Sequence, residues 1–516
     1  MAIDTYRSEP LTDFSRPENQ HAMRRALAQV QSEWGQSYPL IIGGKRILTE
    51  DKIISTNPAH PDAVVGQVSV ADAALIDQAL AAGWQAWAEW KKVPGPQRAR
   101  YLYKAAALMR RKKFVLSAWE VYEAGKSWGE ADADVAEAID FLEYYGRQME
   151  RLSHGVELTP LPGEEDTAFY VPLGVGAIIP PWNFPLAILT GMTSAAIVAG
   201  NAVIVKPASP TAVIGAQFAA IMEEAGLPPG VLNFVPGDGG VIGDHMVTHP
   251  LTRFVSFTGS RAVGLRINKF AAEAGPQQRW VKRVVAEMGG KDAILVDETA
   301  DLDAAAEGIV TSAFGFQGQK CSACSRAVVV DAVYDAVLER VVARTKALVM
   351  GDPADMATQI GPVIDDKAQQ KIWGYIEWGK SHAQLAIGGE LGPAPGYFIQ
   401  PTIFSEVAPG SKIEQEEIFG PVLSFIRARD FAQALDIVND TEYGLTGAVY
   451  SRRRDRIAQA VEEFEVGNLY INRKCTGAVV GAHPFGGFNM SGTDSKTGSP
   501  DYLLLFMQMK AVAEKL

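Results

Sequence analysis

Among the residues able to do chemistry, Cys321 stands out, in the run Phe316-Gln317-Gly318-Gln319-Lys320-Cys321-Ser322-Ala323. A thiolate attacks carbonyl carbon, and a flexible, glycine-containing approach beside a cation would lower the thiol pKa and expose the sulfur, so Gly318 and Lys320 point to a nucleophile. An isolated cysteine is more often buried and inert. Cys324 completes a C-x-x-C pair, which opens a zinc or dithiol reading. No second pair exists, Cys475 is distant in sequence, and the one nearby histidine, His483, follows Cys475, so a four-ligand set is short of candidates and no metal is expected. Phe257-Thr258-Gly259-Ser260 ends a strand-like run and opens a helix that continues through Gly264. Such a junction lets backbone N–H groups meet a pyrophosphate, although a tight turn that needs only Gly259 is the plain alternative. Gly174-Val175-Gly176 is no dinucleotide fingerprint, because Ile179 stands where the third glycine belongs.

The elements that must position these residues alternate. Ala202–Val205, Val231–Val235 and Phe254–Phe257 read as strands, separated by helical stretches at Ala212–Ala225 and Gly240–Val247 and followed by one at Ala262–Ala272. Strands joined by helices of this size predict a doubly wound parallel sheet that binds ligand at the carboxyl ends of its strands. The alternation resumes with Ala293–Val296, Ala304–Phe314 and Ala327–Val330, so a second α/β lobe is expected to begin near Gly289, beside the reactive cysteine. Upstream, Ala71–Trp90 and Ala131–Tyr145 carry apolar residues at helical spacing; in the second, Val135, Ile139 and Leu142 share a face from which Glu137 projects elsewhere. Two strand-like pieces, Glu157–Val171 and Tyr502–Met507, have no obvious partner in either lobe.

A chain of 516 residues exceeds what one core serves, so lobes with a cleft between them are expected. The net charge of −12 argues against a nucleic-acid partner, because affinity for phosphates comes from Lys and Arg displacing counterions; the basic run Arg110 to Lys113 reads as a solvated helix face. Three cysteines suggest a reducing compartment, and Asp4, Glu9 and Asp13 interrupt any signal peptide, which together predict a cytoplasmic protein. Thr167–Val205 lacks charged side chains and is long enough to span a bilayer, but Pro180, Pro181, Pro185 and Gly191 would break such a helix; strand, loop, buried helix and strand are expected instead, with no membrane partner.

Taken together, Pro181-Trp182-Asn183-Phe184-Pro185, Phe257 to Ser260, Glu287-Met288-Gly289-Gly290-Lys291, Gly318-Gln319-Lys320-Cys321, Glu416 to Pro421 and Pro484-Phe485-Gly486-Gly487 with Ser491-Gly492 resemble the aldehyde dehydrogenase motifs, in the family order, and the likeness runs from about Pro39 to the C-terminus. The resemblance implies an α/β fold with a Rossmann-type parallel-sheet cofactor domain (1–156 and 172–288), an α/β catalytic domain (289–486) and a small β-strand oligomerisation flap (157–171 and 487–516) that would make a homodimer or higher homo-oligomer. It implies Cys321 as nucleophile, Asn183 and the Cys321 N–H as oxyanion donors and Glu287 as general base. Taken alone, Asn183 could cap a turn and Glu287 could be a surface carboxylate. NAD would be held by Ile179, Pro180, Trp182, Lys206, Ser209, Gly243, Phe257, Gly259, Ser260, Met288, Gly289, Glu417 and Phe419. Many strongly NAD-selective relatives carry a glutamate at the position of Ser209, so NADP stays open.

For the substrate, Ala131 to Phe141, Gly315 to Ser322 and Thr476 to Gly481 look like the versions in the branch of the family that oxidises glutamate semialdehyde. That implies an aldehyde pocket in which Ser322 and the Gly477 and Ala478 N–H groups hold an α-carboxylate, Phe184 and Phe485 sandwich the chain, Lys320 adds positive potential and Glu137 orients the polar end. Another semialdehyde or a general aliphatic aldehyde is the alternative, and a catalytically silent relative a further one. A solvated helix carboxylate is the plain reading of Glu137.

Overall fold

The computed structural model describes residues 6–516, so Asp4 lies outside the described residues. Two seven-stranded sheets organise the chain. The first runs in the order Arg283–Glu287, Phe254–Thr258, Val175–Ile179, Ala202–Val205, Leu232–Phe234, Leu40–Ile42 and Lys45–Ile47, with the first five strands parallel. The chain steps outward from Val175–Ile179 through two neighbours, then returns to place Phe254–Thr258 on the other side. The crevice beyond the strand ends at that reversal is where such sheets take ligands.

Burial explains why these runs are β-branched throughout rather than alternating. Ile178, Val203, Val205 and Phe254 enter one core, while Ala177, Ile179, Ile204 and Val255 enter another on the opposite face. The second sheet repeats the arrangement in the order Gln384–Ile387, Thr402–Ser405, Val422–Ala428, Arg326–Val330, Ala293–Val296, Thr446–Tyr450 and Asn468–Ile471, antiparallel only at Gln384–Ile387. Cys321 lies just before Arg326–Val330, and Glu287 ends the edge strand of the first sheet.

The stretch without charges forms the strand Val175–Ile179, a loop, the buried helix Ala187–Val198 and the strand Ala202–Val205, as its prolines require. Among the described residues no helix is long and apolar enough to cross a membrane. Three sequence expectations change. The helix expected at Gly240–Val247 is a wide turn over Gly239–Gly243 followed by the short helix Asp244–Thr248, because Asp238 accepts the Gly240 N–H and neighbouring glycines tolerate the wider winding. The helix expected at Ala131–Tyr145 spans Trp128–Leu152. Tyr502–Phe506 is no orphan strand but a tight turn with Tyr502, Leu503 and Phe506 buried in the first core, and the strand Met507–Lys515 beyond it pairs antiparallel with Glu164–Pro172.

One buried carboxylate ties two helices and the strand Lys52–Asn57 together. Glu123, near the end of the helix Lys113–Ala124, accepts Ser55 Oγ at 2.7 Å and the Val213 and Ile214 N–H groups at 2.8 Å, capping the helix Ala212–Glu224 that has no cap of its own. Glu123→Ala strands these donors and is expected to cost about 2 to 3 kcal/mol, read as a lower urea midpoint; an unchanged midpoint would show that the cap contributes nothing.

Candidate active site

The nucleophile's approach is rigid, contrary to the flexible segment expected. After the helix Leu302–Phe314, three consecutive residues take left-handed conformations, Phe316 (φ 48°), Gln317 (φ 56°) and Gly318 (φ 67°). The first two are unfavourable for non-glycine residues and persist because the surroundings overdetermine them. Gln317 Nε2 donates to the Gly125 and Pro362 carbonyls at 3.2 and 2.7 Å, and Gln319 Oε1 accepts the Ile364 N–H at 2.9 Å. At Gly318 a Cβ would stand 2.4 Å from the Gly420 carbonyl oxygen, so glycine is required for both space and φ. Asn183 is drawn in as well, one amide N–H donating to the Gln319 carbonyl at 2.9 Å and a second remaining for another acceptor.

Lys320, expected to lend positive charge to the thiol, has a carboxylate partner of its own. Its ammonium is ion-paired with Glu130 at 2.7 Å. Burial, followed by the charges of Asp292, Glu287 and Glu417, pushes the Cys321 thiol well above its ordinary value. Both effects disfavour the thiolate, which a positive charge brought close to the sulfur would favour.

Glu287 ends its strand with three donors on its carboxylate: Gly487 N–H at 3.2 Å, Ser495 N–H at 3.3 Å and Ser495 Oγ at 2.6 Å. Burial outweighs these bonds and pushes its carboxyl up to about 7. Ser495 has no counterpart in the sequence reading; its only signal was its place shortly after the Gly486-Gly487 and Ser491-Gly492 words. Glu417 accepts the Gly290 N–H at 3.0 Å, and a Cβ on Gly289 would lie 2.2 Å from its carboxylate, so Gly289 makes room for the acid. Burial raises the Glu417 carboxyl too.

A cavity of about 680 Å³ collects the parts. Cys321, Glu287 and Met288 line it. All seven residues expected to hold substrate line it: Glu137, Phe184 and Lys320, then Ser322 and Phe485, then Gly477 and Ala478. Glu137 is neither solvated nor turned away; its carboxyl is pushed up to about 8 by burial and then by the Asp134 charge. Phe184 is steadied by a buried cluster that carried no sequence signal. Lys126 Nζ lies 4.6 Å from its ring centroid and is ion-paired with Glu120 at 3.2 Å and with Asp134, whose other oxygen accepts the Ala187 N–H at 2.6 Å.

The residues expected to take a dinucleotide gather at the carboxyl ends of the first sheet. Ile179 and Phe257 are strand-register partners, Pro180 follows, and Trp182 packs edge-on to Phe419 with centroids 5.5 Å apart, Phe419 itself taking φ 59°. Lys206 Nζ donates to the Pro207 and Gly237 carbonyls at 3.2 and 3.3 Å, leaving one donor, and burial lowers it to about 8. Ser209 opens the turn Ser209–Thr211 just beyond, and Gly243 closes the wide turn that begins at Gly239, beside the Lys206 side chain. Ser260 is exposed at the N-terminus of the helix Arg261–Ala272, which approaches the strand ends closely: a Cβ on Gly264 would meet Met288 Sδ at 2.5 Å, and one on Gly259 the Phe257 ring at 2.6 Å.

Cys475, though distant in sequence, is adjacent in space, its Sγ 3.5 Å from the Ser322 carbonyl. Cys324 and Cys475 are buried, and all three cysteines are free. The described residues that come close enough to share an ion are Asp77, His245 and His249. There His249 Nδ1 accepts the Leu251 N–H at 3.1 Å, which places its proton on Nε2, 3.3 Å from Asp77, so the trio reads as a hydrogen-bonded ionic cluster.

A thiol and an acid poised near neutrality in one cavity, beside the carboxyl ends of a parallel sheet, are the parts of an oxidoreductase acting on carbonyl compounds. Residues 48–512 match the aldehyde dehydrogenase family, and the chain belongs to that family. It is 58% identical over 512 residues, 99% of both chains, to the 1-pyrroline-5-carboxylate dehydrogenase of Geobacillus kaustophilus, and 56% identical over 514 residues, the full length of both, to that of Bacillus thuringiensis. The structure of 1-pyrroline-5-carboxylate dehydrogenase from Thermus with bound NAD superposes with a TM-score of 0.99 at 53% identity, covering 100% of both chains.

Proposed function

We propose that this enzyme oxidises L-glutamate γ-semialdehyde, the open form of 1-pyrroline-5-carboxylate, to L-glutamate with NAD, the second step of proline breakdown. The observation that carries the reading is the cavity itself, which is lined by Cys321 and Glu287 together with Glu137, Gly477 and Ala478. An α-amino acid with a terminal aldehyde needs these groups: donors for its carboxylate, a carboxyl to accept from its ammonium and a nucleophile for its carbonyl carbon. The names of the relatives support the same substrate and cofactor.

In this mechanism the Cys321 sulfur adds to the aldehyde carbon, and the free Asn183 amide N–H and the Cys321 backbone N–H take the negative oxygen. Oxidised nicotinamide, when bound, supplies the positive charge that favours the thiolate and accepts the hydride released as the adduct becomes a thioester. Glu287 then removes a proton from the water that hydrolyses this thioester, and Ser495 and Gly487 hold its carboxylate in place. The single donor left on Lys206 suits a ribose hydroxyl, Glu417 a second ribose, and the helix end at Ser260 a pyrophosphate. Ser209 puts no charge against a 2′-phosphate, so NADP turnover belongs in the same assay.

Purified protein given NAD and 1-pyrroline-5-carboxylate is expected to form reduced cofactor; turnover of hexanal with none of the semialdehyde would sink the substrate and leave the class. Glu137→Gln is expected to raise KM for the semialdehyde about tenfold, by removing the carboxyl whose ionisation a bound ammonium favours, while hexanal kinetics hold. An equal loss on both substrates would assign Glu137 a structural role. The strands Glu164–Pro172 and Met507–Lys515, largely exposed beyond their mutual pairing, support a homodimer or larger homo-oligomer through edge pairing, which light scattering tests.

A further inference from the structure

We propose that the N-terminal segment Tyr6–Arg16 forms the outer wall of the aldehyde channel and acts as a selectivity element, clamped to the helix that carries Glu137. The inference rests on the substrate reading above. No motif marks this segment, and its placement is purely tertiary. It contributes Ser8, Glu9 and Leu11 to the lining of the cavity that holds Cys321.

The clamp uses two buried acids that bracket Glu137 along the helix Trp128–Leu152. Asp132 accepts the Thr12 N–H at 2.7 Å and Thr12 Oγ1 at 2.5 Å, and Asp140 accepts the Glu9 N–H at 2.7 Å. Lys113 reinforces the first contact, donating to the Pro10 carbonyl at 2.9 Å and to Asp132 at 3.1 Å, and Arg110 pairs with the Glu9 carboxylate at 2.8 Å. Phe14 packs on Trp128 and Tyr6 on Tyr144, with centroids 5.3 and 5.2 Å apart, so aromatic contacts fix both ends.

The other side of the pocket meets the same segment. At Gly481, which ends the loop carrying Gly477 and Ala478, a Cβ would lie 2.8 Å from the Tyr144 ring and 3.1 Å from the Tyr6 ring. Tyr6 thus stands where the helix of Glu137 and the loop of the backbone donors converge, while the exposed Leu11 side chain stands at the mouth. A wall fastened to both polar elements keeps them at the spacing a short zwitterion requires and narrows the opening against longer apolar chains.

Three full-length variants test this by the ratio of kcat/KM for glutamate semialdehyde to that for hexanal. Thr12→Val, which removes the hydroxyl from the clamp, is expected to lower the ratio about tenfold, mainly through KM for the semialdehyde, with KM for NAD unchanged. Leu11→Ala is expected to lower the ratio by admitting hexanal, and Leu11→Trp to raise it by obstructing hexanal. Opposite shifts from two substitutions at one exposed position are not produced by a general loss of folding. An unchanged ratio in active Leu11 variants overturns the wall, and so do parallel losses on both substrates in Thr12→Val. Wild-type enzyme inactive on the semialdehyde would instead overturn the function on which the inference rests.

Discussion

Replacing Cys321 by serine is expected to lower kcat by roughly ten-thousand-fold or more while the circular dichroism spectrum and melting temperature stay near those of the wild type. A hydroxyl is a far weaker nucleophile than a thiol and harder to ionise. Its surroundings make the substitution more severe, because Asp292, Glu287 and Glu417 all oppose a negative charge at this position. The rigid turn through Phe316 and Gln317 continues to present the oxygen where the sulfur was, so the loss is chemical rather than structural. Initial rates with saturating NAD and semialdehyde check it; a serine variant keeping more than roughly a tenth of the rate would place the chemistry elsewhere.

Glu287→Gln is expected to separate the two halves of the reaction. Hydride transfer precedes hydrolysis, so rapid mixing should show a burst of reduced cofactor close to one equivalent of sites, then steady turnover slowed by roughly a hundredfold to ten-thousand-fold. The glutamine oxygen still accepts from Ser495, while its amide nitrogen cannot take the Gly487 N–H that now meets the second oxygen, so the variant removes the base at the cost of one backbone hydrogen bond. The wild-type pH profile follows from the same group. A base must be unprotonated, and with Glu287 near 7 the steady rate is expected to fall about tenfold per pH unit below 7 and level off above it. In Glu287→Gln that acid limb should vanish. A variant with no burst would put Glu287 in the first half-reaction, and an unchanged acid limb would assign the titration to another residue.

Much of this was legible because it depends on local pattern. The runs Ala202–Val205 and Ala293–Val296 form strands with the bounds their β-branched composition predicts, and both lie in sheets buried on two faces. The motif words brought the seven substrate-side residues to one cavity, since Glu137 follows from helical spacing and the other six sit in turns and loops whose conformation nearby glycines and prolines specify. Expectations failed where a long-range partner decided the outcome. Lys320 follows Glu130, remote in sequence, rather than its neighbour Cys321. Gly240–Val247 was read by its helical spacing, but the Asp238 side chain and successive glycines open the first turn. Tyr502–Phe506 is apolar because it fills a core, not because it pairs as a strand.

By itself the sequence determined the family, the two mainly parallel sheets and the candidate for the nucleophile, because periodicity, turn residues and a co-linear set of short words survive in one dimension. Tertiary structure alone decided the burial that opposes ionisation of the thiol, the poise of Glu287 on Ser495, the burial of Lys126 between two acids and the course of the N-terminal segment across the cavity. These depend on desolvation and on contacts between residues tens to hundreds of positions apart, and such pairings leave no trace in local spacing.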